Sequence, residues 1–379
     1  MNRFSTAALA ITSLILAVAA PSNAAAWDIS GDFRAHLYTE NWRDTRAGDT
    51  ENSSGSGVRF RLRLREEIGD SCRFQTRFAA TAADEGNDWD AYLRANRDSG
   101  TGVNPGTATL DELFIACAQG ASEWRFGRMQ SNLDLPHMAT RSFDRSQASA
   151  INIGWTDAIA YRHSFNNGWY SEALLQYNGR DGNGQTFRGP IAFDHSDARI
   201  GFFGIVGSDT EVGPVFMRAL SVTVYPDALA PAGIANAERD DYVLAAFKLG
   251  AGWDIDQAGR RLIAVAEIAH ALNTPDKSTL QLPGTGEAGA WGWQIGADVK
   301  NIFPKHSMGI NYGQSDGGML LSNDFRQNNE LFEYRWQYQA TKALRFEFRA
   351  RWRRELERRI GAPFLQRDRD VRLRTTYKF

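Results

Sequence analysis

The fold is decided by the stretch RDVRLRTTYKF, which runs from Arg369 to Phe379. Val371, Leu373, Tyr377 and Phe379 alternate in it with residues that are mostly charged. Successive side chains of a strand point to opposite faces, so this period of two predicts one apolar face and one wet face. An aromatic outer face and a charged inner face are typical of a strand in a transmembrane β-barrel.

The same alternation recurs from Trp27 onward and predicts an all-β chain, a transmembrane antiparallel barrel of about sixteen strands. Breaks after even-numbered strands are short, as at 304–305, whereas the odd-numbered breaks are mostly long, polar or glycine-rich. Transmembrane barrels sort their connections in this way, and a soluble sandwich has no reason to. The predicted strands are 27–38, 58–68, 72–83, 107–118, 123–130, 151–165, 169–178, 198–207, 215–225, 241–254, 261–272, 290–302, 307–314, 330–341, 344–357 and 369–379.

The N-terminus has the features of a secretory signal peptide. Arg3 supplies a positive charge, residues 7–20 are apolar, and small residues surround Ala24. A membrane anchor needs about 20 apolar residues, and this run is shorter and meets Pro21. We expect residues 1–24 to be removed, with cleavage after residue 26 as the alternative, and residues 25–379 to form one barrel domain.

Composition is compatible with a barrel in a membrane. The chain has 379 residues, a formal net charge of -2 and 12% aromatic residues, so nothing in its charge indicates a nucleic-acid partner. The mean hydropathy of -0.43 is too polar for a helical membrane protein. Of 43 Lys+Arg, six are lysines, which leaves 43 - 6 = 37 arginines.

The signal, the sixteen-strand pattern and the ending Tyr377-Lys378-Phe379 resemble a Gram-negative outer-membrane porin over the whole mature chain. That resemblance implies the outer membrane, surrounding lipid and lipopolysaccharide, and a channel that needs no cofactor. It also implies that the barrel-assembly machinery reads Tyr377 and Phe379. Sixteen-strand porins are trimers, which makes a homotrimer one expectation.

One group of outer-membrane barrels gives an alternative reading. Leu110-Asp111-Glu112-Leu113-Phe114, followed by Phe126-Gly127-Arg128, is similar to the alginate-export type. Those barrels have eighteen strands and are monomers, and they would conduct a polysaccharide. The particular solute and the oligomeric state stay open at this point.

Arginine dominates the predicted inner face. Because closure places the last strand beside the first, the inward positions of five strands form one contiguous arc. Guanidinium groups bind carboxylates and phosphates in a fork, so the arc favours small anionic solutes, whereas pairing with Glu347, Glu355 and Asp370 would make it merely a solvated wall. The arc consists of Arg34, Arg59, Arg61, Arg63, Arg65, Arg73, Arg77, Arg345, Arg349, Arg351, Arg353, Arg372 and Arg374.

The connection at 131–150 is the third long loop, the one that folds into the barrel in the porins that this chain resembles. If it folds inward, its carboxylates face the arginine wall and set a transverse field across the narrowest point; otherwise it is an exposed loop. The residues proposed for this constriction are Asp134, Arg141, Asp144 and Arg145, with His137 between them.

The two cysteines are predicted to form a disulfide. Cys72 opens the third strand and Cys117 nearly ends the fourth, so an antiparallel pair brings both to one end and to the outward face. An oxidising compartment favours the bond, provided that the Cα atoms approach to about 5.5 Å. Separate buried thiols are the alternative.

An enzyme and an adhesin are the other classes to consider. The six histidines lie at no recognisable nucleophile spacing, and no metal-ligand spacing is present in the sequence, so no catalytic or metal site is predicted. His270 with Glu267 on one strand is the only pair worth testing. An adhesin would have a plugged lumen, whereas dense arginine walls favour water inside and hence a channel.

Overall fold

The structure is a computed structural model that describes residues 27–83, 92–93, 107–131, 133–136, 142–144, 153, 155–178, 199–229, 240–322 and 324–379. Within those residues, sixteen long strands form one antiparallel sheet that closes on itself, which confirms the predicted fold and not the eighteen-strand alternative. The strands are β1 (Asp28–Asp44), β2 (Thr50–Ile68), β3 (Cys72–Ala83), β4 (Thr107–Gln119), β5 (Ser122–Met129), β6 (Thr156–Ser164), β7 (Trp169–Asn178), β8 (Arg199–Ser208), β9 (Val215–Leu229), β10 (Asp240–Asp254), β11 (Arg261–Ala271), β12 (Trp291–Phe303), β13 (His306–Ser315), β14 (Asn329–Gln339), β15 (Leu344–Glu355) and β16 (Arg367–Lys378).

The barrel closes where β1 pairs with β2 along one edge and with β16 along the other. Gly31 donates its N–H to the carbonyl oxygen of Phe379 at 2.9 Å. The ring of Phe379 stacks on that of Phe60, with ring centroids 6.2 Å apart. A Cβ atom on Gly31 would lie 2.3 Å from the carbonyl oxygen of Arg61, so a side chain at this closure point would push the strands apart.

The strands alternate between an exposed apolar outer face and a buried polar inner face. On β16, Leu373 and Tyr377 are exposed, whereas Arg372 and Thr376 are buried. No helix in the described part of the chain is long and apolar enough to cross a membrane. The outer face carries a continuous apolar surface that includes Phe33, Leu113, Ile115, Phe126, Leu175, Phe202, Leu220, Phe247, Ile268, Ile295, Ile310, Phe332 and Trp352.

Connections are sorted by length between the two ends of the barrel. We call the end where β1 begins and β16 finishes the terminal end. Connections at this end are short, as at 69–71, 120–121 and 304–305, and in the described part of the chain none is longer than the connection at 209–214. At the far end, connections such as 84–106, 130–155 and 272–290 are long. The predicted asymmetry of the loops is therefore present.

One predicted boundary is wrong. The polar segment before Gly57 was expected to be a loop, but β1 continues to Asp44 and β2 already starts at Thr50. A bulge between His36 and Thr39 shifts the register, and pairing then continues on both sides. The wall here extends past the apolar band, so neither face needs apolar residues and the period of two disappears while the ladder persists.

Candidate functional site

The predicted arginine arc lies on the inner face of five adjacent strands, β15, β16, β1, β2 and β3. Arg59 and Arg349 are among its most enclosed members, with 2% and 4% of their surface exposed. At the terminal end the arc finishes in Arg65, which is more exposed and pairs with Glu67 at 2.6 Å. The arc is contiguous because β1 joins its two halves.

Two consecutive carboxylates on β4 face the lumen and neutralise one flank of the arc. A bulge between Arg77 and Phe78 turns both Asp111 and Glu112 inward, and both are buried. Asp111 accepts two hydrogen bonds from Arg77 at 2.8 Å, and Arg61 Nη2 lies 2.9 Å from Asp111 Oδ2. A strict alternation would have sent one of the two acids outward, so this pairing was not predicted.

Further acids engage the other flank. Asp370 accepts from Arg351 at 2.8 Å, and Asp324, which lies on the 316–328 loop, pairs with the same guanidinium at 2.7 Å. Glu347 lies 2.6 Å from Arg374. Glu355 was expected to pair with an arginine of the arc, but it pairs instead with Arg46 and Arg359, which lie on loops at the far end of the barrel. The arc thus has more acid partners than the sequence reasoning counted.

Positive charge is concentrated at mid-height. Three successive inward rows cross β14, β15, β16, β1 and β2, and the described residues of these rows contain seven arginines against one carboxylate, Glu347. The remaining carboxylates of the arc lie in the rows above and below. We call this set the central arginine band; it consists of Arg34, Arg59, Arg335, Arg345, Arg349, Arg372 and Arg374.

The 131–150 loop is anchored to the wall opposite the arc. Asp144 is fully buried and accepts from Lys248 Nζ at 2.5 Å and from the hydroxyl of Ser221. Ser142 donates to Glu267, which also accepts from the N–H of Phe143 at 3.1 Å. Residues 142–144 therefore lie against the inner face of the barrel, and Asp144 binds β9 and β10 and not the arginine wall that its carboxylate was expected to face.

The other residues proposed for the constriction contribute less. Asp134 Oδ1 lies 3.5 Å from the amide nitrogen of Ser142 within the same loop. Arg141, Arg145 and His137 lie outside the described residues.

Lys248 is a functional residue that the sequence reasoning missed. It lies directly opposite Glu267 in the β10–β11 register and is completely enclosed. Glu267 in turn accepts from Gln294 at 2.6 Å, and Gln294 accepts from Asn311 at 2.9 Å, so a polar chain crosses four strands. The available signal was a single lysine at an inward position of a strand that otherwise has small and apolar residues.

Apolar side chains lie on the inner face of the wall beside this polar chain. Leu135 packs against Ile263 and Val265, and the ring of Phe143 contacts that of Phe325, on the 316–328 loop, at a tilt of 38° with ring centroids 4.7 Å apart. A core this apolar inside a barrel is stable only because the loops shield it from water. The described contacts of the loop thus fill the β9–β12 side, opposite the arc. On the arc side, a cavity of about 390 Å³ is lined in part by Arg43, Arg326, Arg353, Asp368 and Asp370.

Cys72 and Cys117 are register partners on β3 and β4, and the structure joins them by a disulfide with Cα atoms 4.0 Å apart. Both cysteines lie at the terminal end, at strand positions that face outward. At the same end the ring of Tyr377 stacks on that of Phe379, with ring centroids 6.3 Å apart.

The single enzymatic candidate does not assemble. Glu267 is buried on the inner face of β11 against Lys248, whereas His270 lies on the outer face and contacts the ring of Trp291 at 4.3 Å between centroids. The two side chains point away from each other. They cannot act as a carboxylate and base pair.

A closed barrel of sixteen strands, apolar outside and charged inside, with residues 142–144 held against its inner face, defines a pore-forming protein of the outer membrane. The chain belongs to the Gram-negative porin family, whose model matches residues 6–346. It is therefore an outer-membrane protein, and family and fold indicate a channel and not an enzyme. In such barrels the short turns face the periplasm, so the terminal end is the periplasmic end.

Solved porins share this fold at low identity. Pseudomonas putida OprB, in its high-pH structure, aligns with a TM-score of 0.60 and 11% identity over 93% of this chain and 94% of that chain. The anion-selective porin from Comamonas acidovorans aligns with a TM-score of 0.54 and 12% identity over 94% of this chain and 100% of that chain. Salmonella typhi OmpF in complex with daunomycin aligns with a TM-score of 0.56 and 13% identity over 94% of this chain and 98% of that chain. No curated protein matches the sequence.

Proposed function

We propose that this protein forms a water-filled channel through which small anionic solutes diffuse passively across the outer membrane. The observation that carries the proposal is the central arginine band, with seven arginines against the single carboxylate of Glu347. Selectivity by fixed charge requires an excess of one sign at a given height of the pore, and not a high content of charge overall.

The geometry of the band makes its charges act together. Adjacent strands lie about 4.8 Å apart and alternate residues on one strand about 7 Å apart. Both spacings are within the Debye length of about 8 Å at physiological ionic strength, so the potentials of neighbouring guanidinium groups add. A solute that crosses the band meets a positive wall, while the loop anchored by Lys248 keeps Asp144 on the opposite side.

The test is the reversal potential of the refolded protein in planar bilayers under a KCl gradient. We expect the wild type to prefer chloride, and the triple variant Arg59→Gln/Arg345→Gln/Arg374→Gln to move toward cation preference, more strongly at low salt. A matched control is Arg354→Gln/Arg367→Gln/Arg369→Gln, which removes the same charge from the outer faces of β15 and β16.

Cation preference in the wild type, or equal shifts in both triple variants, would contradict the proposal. Absence of conductance would favour an adhesin, and passage of a long acidic polysaccharide would favour the alginate-export alternative. Lipid hydrolysis by the same preparation would indicate an enzyme.

Targeting and assembly are part of the same proposal. We infer that residues 1–24 are removed as a signal peptide and that the barrel-assembly machinery reads Tyr377 and Phe379. The N-terminal sequence of the protein from outer membranes tests the cleavage site. Cross-linking in native membranes, with one, two or three copies as the outcome, tests the homotrimer that the family resemblance implies.

A further inference from the structure

Several buried polar atoms in and beside the central arginine band lack a hydrogen-bond partner among the described residues, and four of them lie close together. These four are Arg349 Nε, Arg372 Nε, Thr39 Oγ1 and His36 Nε2. These residues lie on β15, β16 and β1, which are adjacent strands. Buried donors and acceptors are normally satisfied, so a cluster of four within one small part of the wall marks a place where a water molecule or an ion would complete the hydrogen bonds.

The two arginines carry like charges directly opposite each other. Arg349 and Arg372 are register partners on β15 and β16, and both are 4% exposed. Like charges in facing positions destabilise a sheet unless an anion compensates them. The structure places Arg349 3.7 Å from both Glu333 and Asp370, and Arg372 3.7 Å from Glu347. These separations are too long for hydrogen bonds.

Two of these carboxylates have closer partners. Glu347 lies 2.6 Å from Arg374 and accepts from Gln337 at 2.8 Å. Asp370 accepts from Arg351 at 2.8 Å. Among the described residues, Glu333 is then the one acid near the pair that has no shorter ion pair, so the other two acids leave Arg349 and Arg372 only partly compensated.

The neighbouring strands carry small residues beside the pair. The bulge on β1 places the short side chain of Thr39 opposite Arg372, and His36 lies one register step further toward the periplasm. On β2 the partners of these two residues are Gly55 and Gly57, which have no side chains to fill the lumen. Bulges often re-aim side chains at functional sites, and here the bulge sets two small polar groups beside two cations.

We propose that Arg349, Arg372, Thr39 and His36 form a discrete binding site for a phosphate-type oxyanion inside the pore. The inference rests on the proposed function and adds to it a saturable site in place of a diffuse field. Two guanidinium forks engage up to four oxygen atoms, which phosphate supplies and a single carboxylate does not. The Thr39 hydroxyl and the His36 ring add neutral hydrogen bonds at the same place.

The experiment measures block of chloride current by inorganic phosphate in planar bilayers, with acetate as the comparison anion. We expect saturable block by phosphate in the wild type and weaker block by acetate. In Arg349→Lys/Arg372→Lys the half-blocking concentration should rise by about tenfold or more, because lysine keeps the charge but lacks the fork. Its KCl reversal potential should stay on the anion side.

The same two strands supply the matched control. Arg354 and Arg367 are also register partners on β15 and β16, but they face outward. Phosphate should therefore block the current through Arg354→Lys/Arg367→Lys as it does in the wild type. Heat-dependent mobility of the folded barrel on gels confirms that each variant has assembled.

Three results would overturn the site. They are no saturation of block in the wild type, equal block by acetate, and wild-type block in the Arg349→Lys/Arg372→Lys variant. Each is compatible with an anion-preferring pore, so the site fails while the proposed function stands. A wild type that prefers cations yet shows saturable block lost in the lysine variant would refute the proposed function and leave the site.

Discussion

Replacement of Lys248 by methionine is the sharpest test of how the inner loop is held. Its ammonium group is fully buried, 2.5 Å from Asp144 and 3.7 Å from Glu267. Methionine fills a similar volume but leaves two carboxylates enclosed without a counter-charge. Removing one partner of a buried ion pair costs about 3–5 kcal/mol. A shift of about 3 kcal/mol changes a local equilibrium about a hundredfold in favour of the detached loop.

The expected result is a loop that leaves the β9–β12 wall in the assembled barrel. Single-channel recordings of Lys248→Met should show altered conductance and large current noise, whereas the wild type is quiet. Limited proteolysis should cut the variant within 131–150 and spare the wild type, since detachment exposes the segment. Lys300→Met is the control, because Lys300 is partly exposed and lies 3.6 Å from Asp298.

A second variant tests whether uncompensated charge is the cause. Lys248→Met/Asp144→Asn/Glu267→Gln removes the lysine and both carboxylates together, so nothing charged is left unpaired in the pocket. Recovery of quiet channels in this triple variant supports the reasoning. If Lys248→Met behaves like the wild type in both assays, the ion pair does not hold the loop, and apolar packing of Leu135 and Phe143 is sufficient.

Three other variants test separate parts of the structure. Cys72→Ser/Cys117→Ser should lower the free energy of unfolding by about 4 kcal/mol, the chain-entropy value for a separation of 45 residues, and thiol titration of denatured, unreduced wild type should find no free thiol. Deletion of Phe379 should reduce the amount of barrel in outer membranes without changing the conductance of those that assemble; wild-type levels in immunoblots would contradict this. Glu347→Gln removes the one carboxylate of the central arginine band and should raise chloride preference in reversal-potential measurements, whereas a shift toward cations would show that the band does not set selectivity.

The sequence was sufficient to predict the fold because alternation in the lipid zone is dictated on both faces. Leu373 must meet an apolar environment and Arg372 a wet one, so the period of two is unambiguous on β16. The same logic failed between Tyr38 and Gly57, where the wall stands clear of the apolar band and no face is constrained. For β8 and β9 the sequence does not show which face points inward, because their inner face packs against other apolar residues and is apolar like the outer face.

The arginines of the site could be predicted from the sequence, but the carboxylates that pair with them could not. Inward arginines follow directly from alternation, but their partners depend on long-range geometry. Asp111 and Glu112 both turn inward only because one bulge breaks the alternation of β4. Asp324 reaches Arg351 from a loop 27 residues away in sequence. Neither a bulge nor the path of a loop leaves a periodic signal.

These contacts explain how an arginine-rich wall can be stable and, under the proposed function, also selective. Guanidinium groups in a narrow lumen repel one another, and the acids above and below the central arginine band, together with Glu347 within its rows, offset part of that repulsion. Asp370 and Glu333 lie on one side of the Arg349 and Arg372 row, and Glu347 lies on the other. Because screening extends about 8 Å, a solute level with the row experiences the uncompensated cations first. Under the proposed function, the vertical order of charges, and not their total, therefore determines which ions the wall attracts.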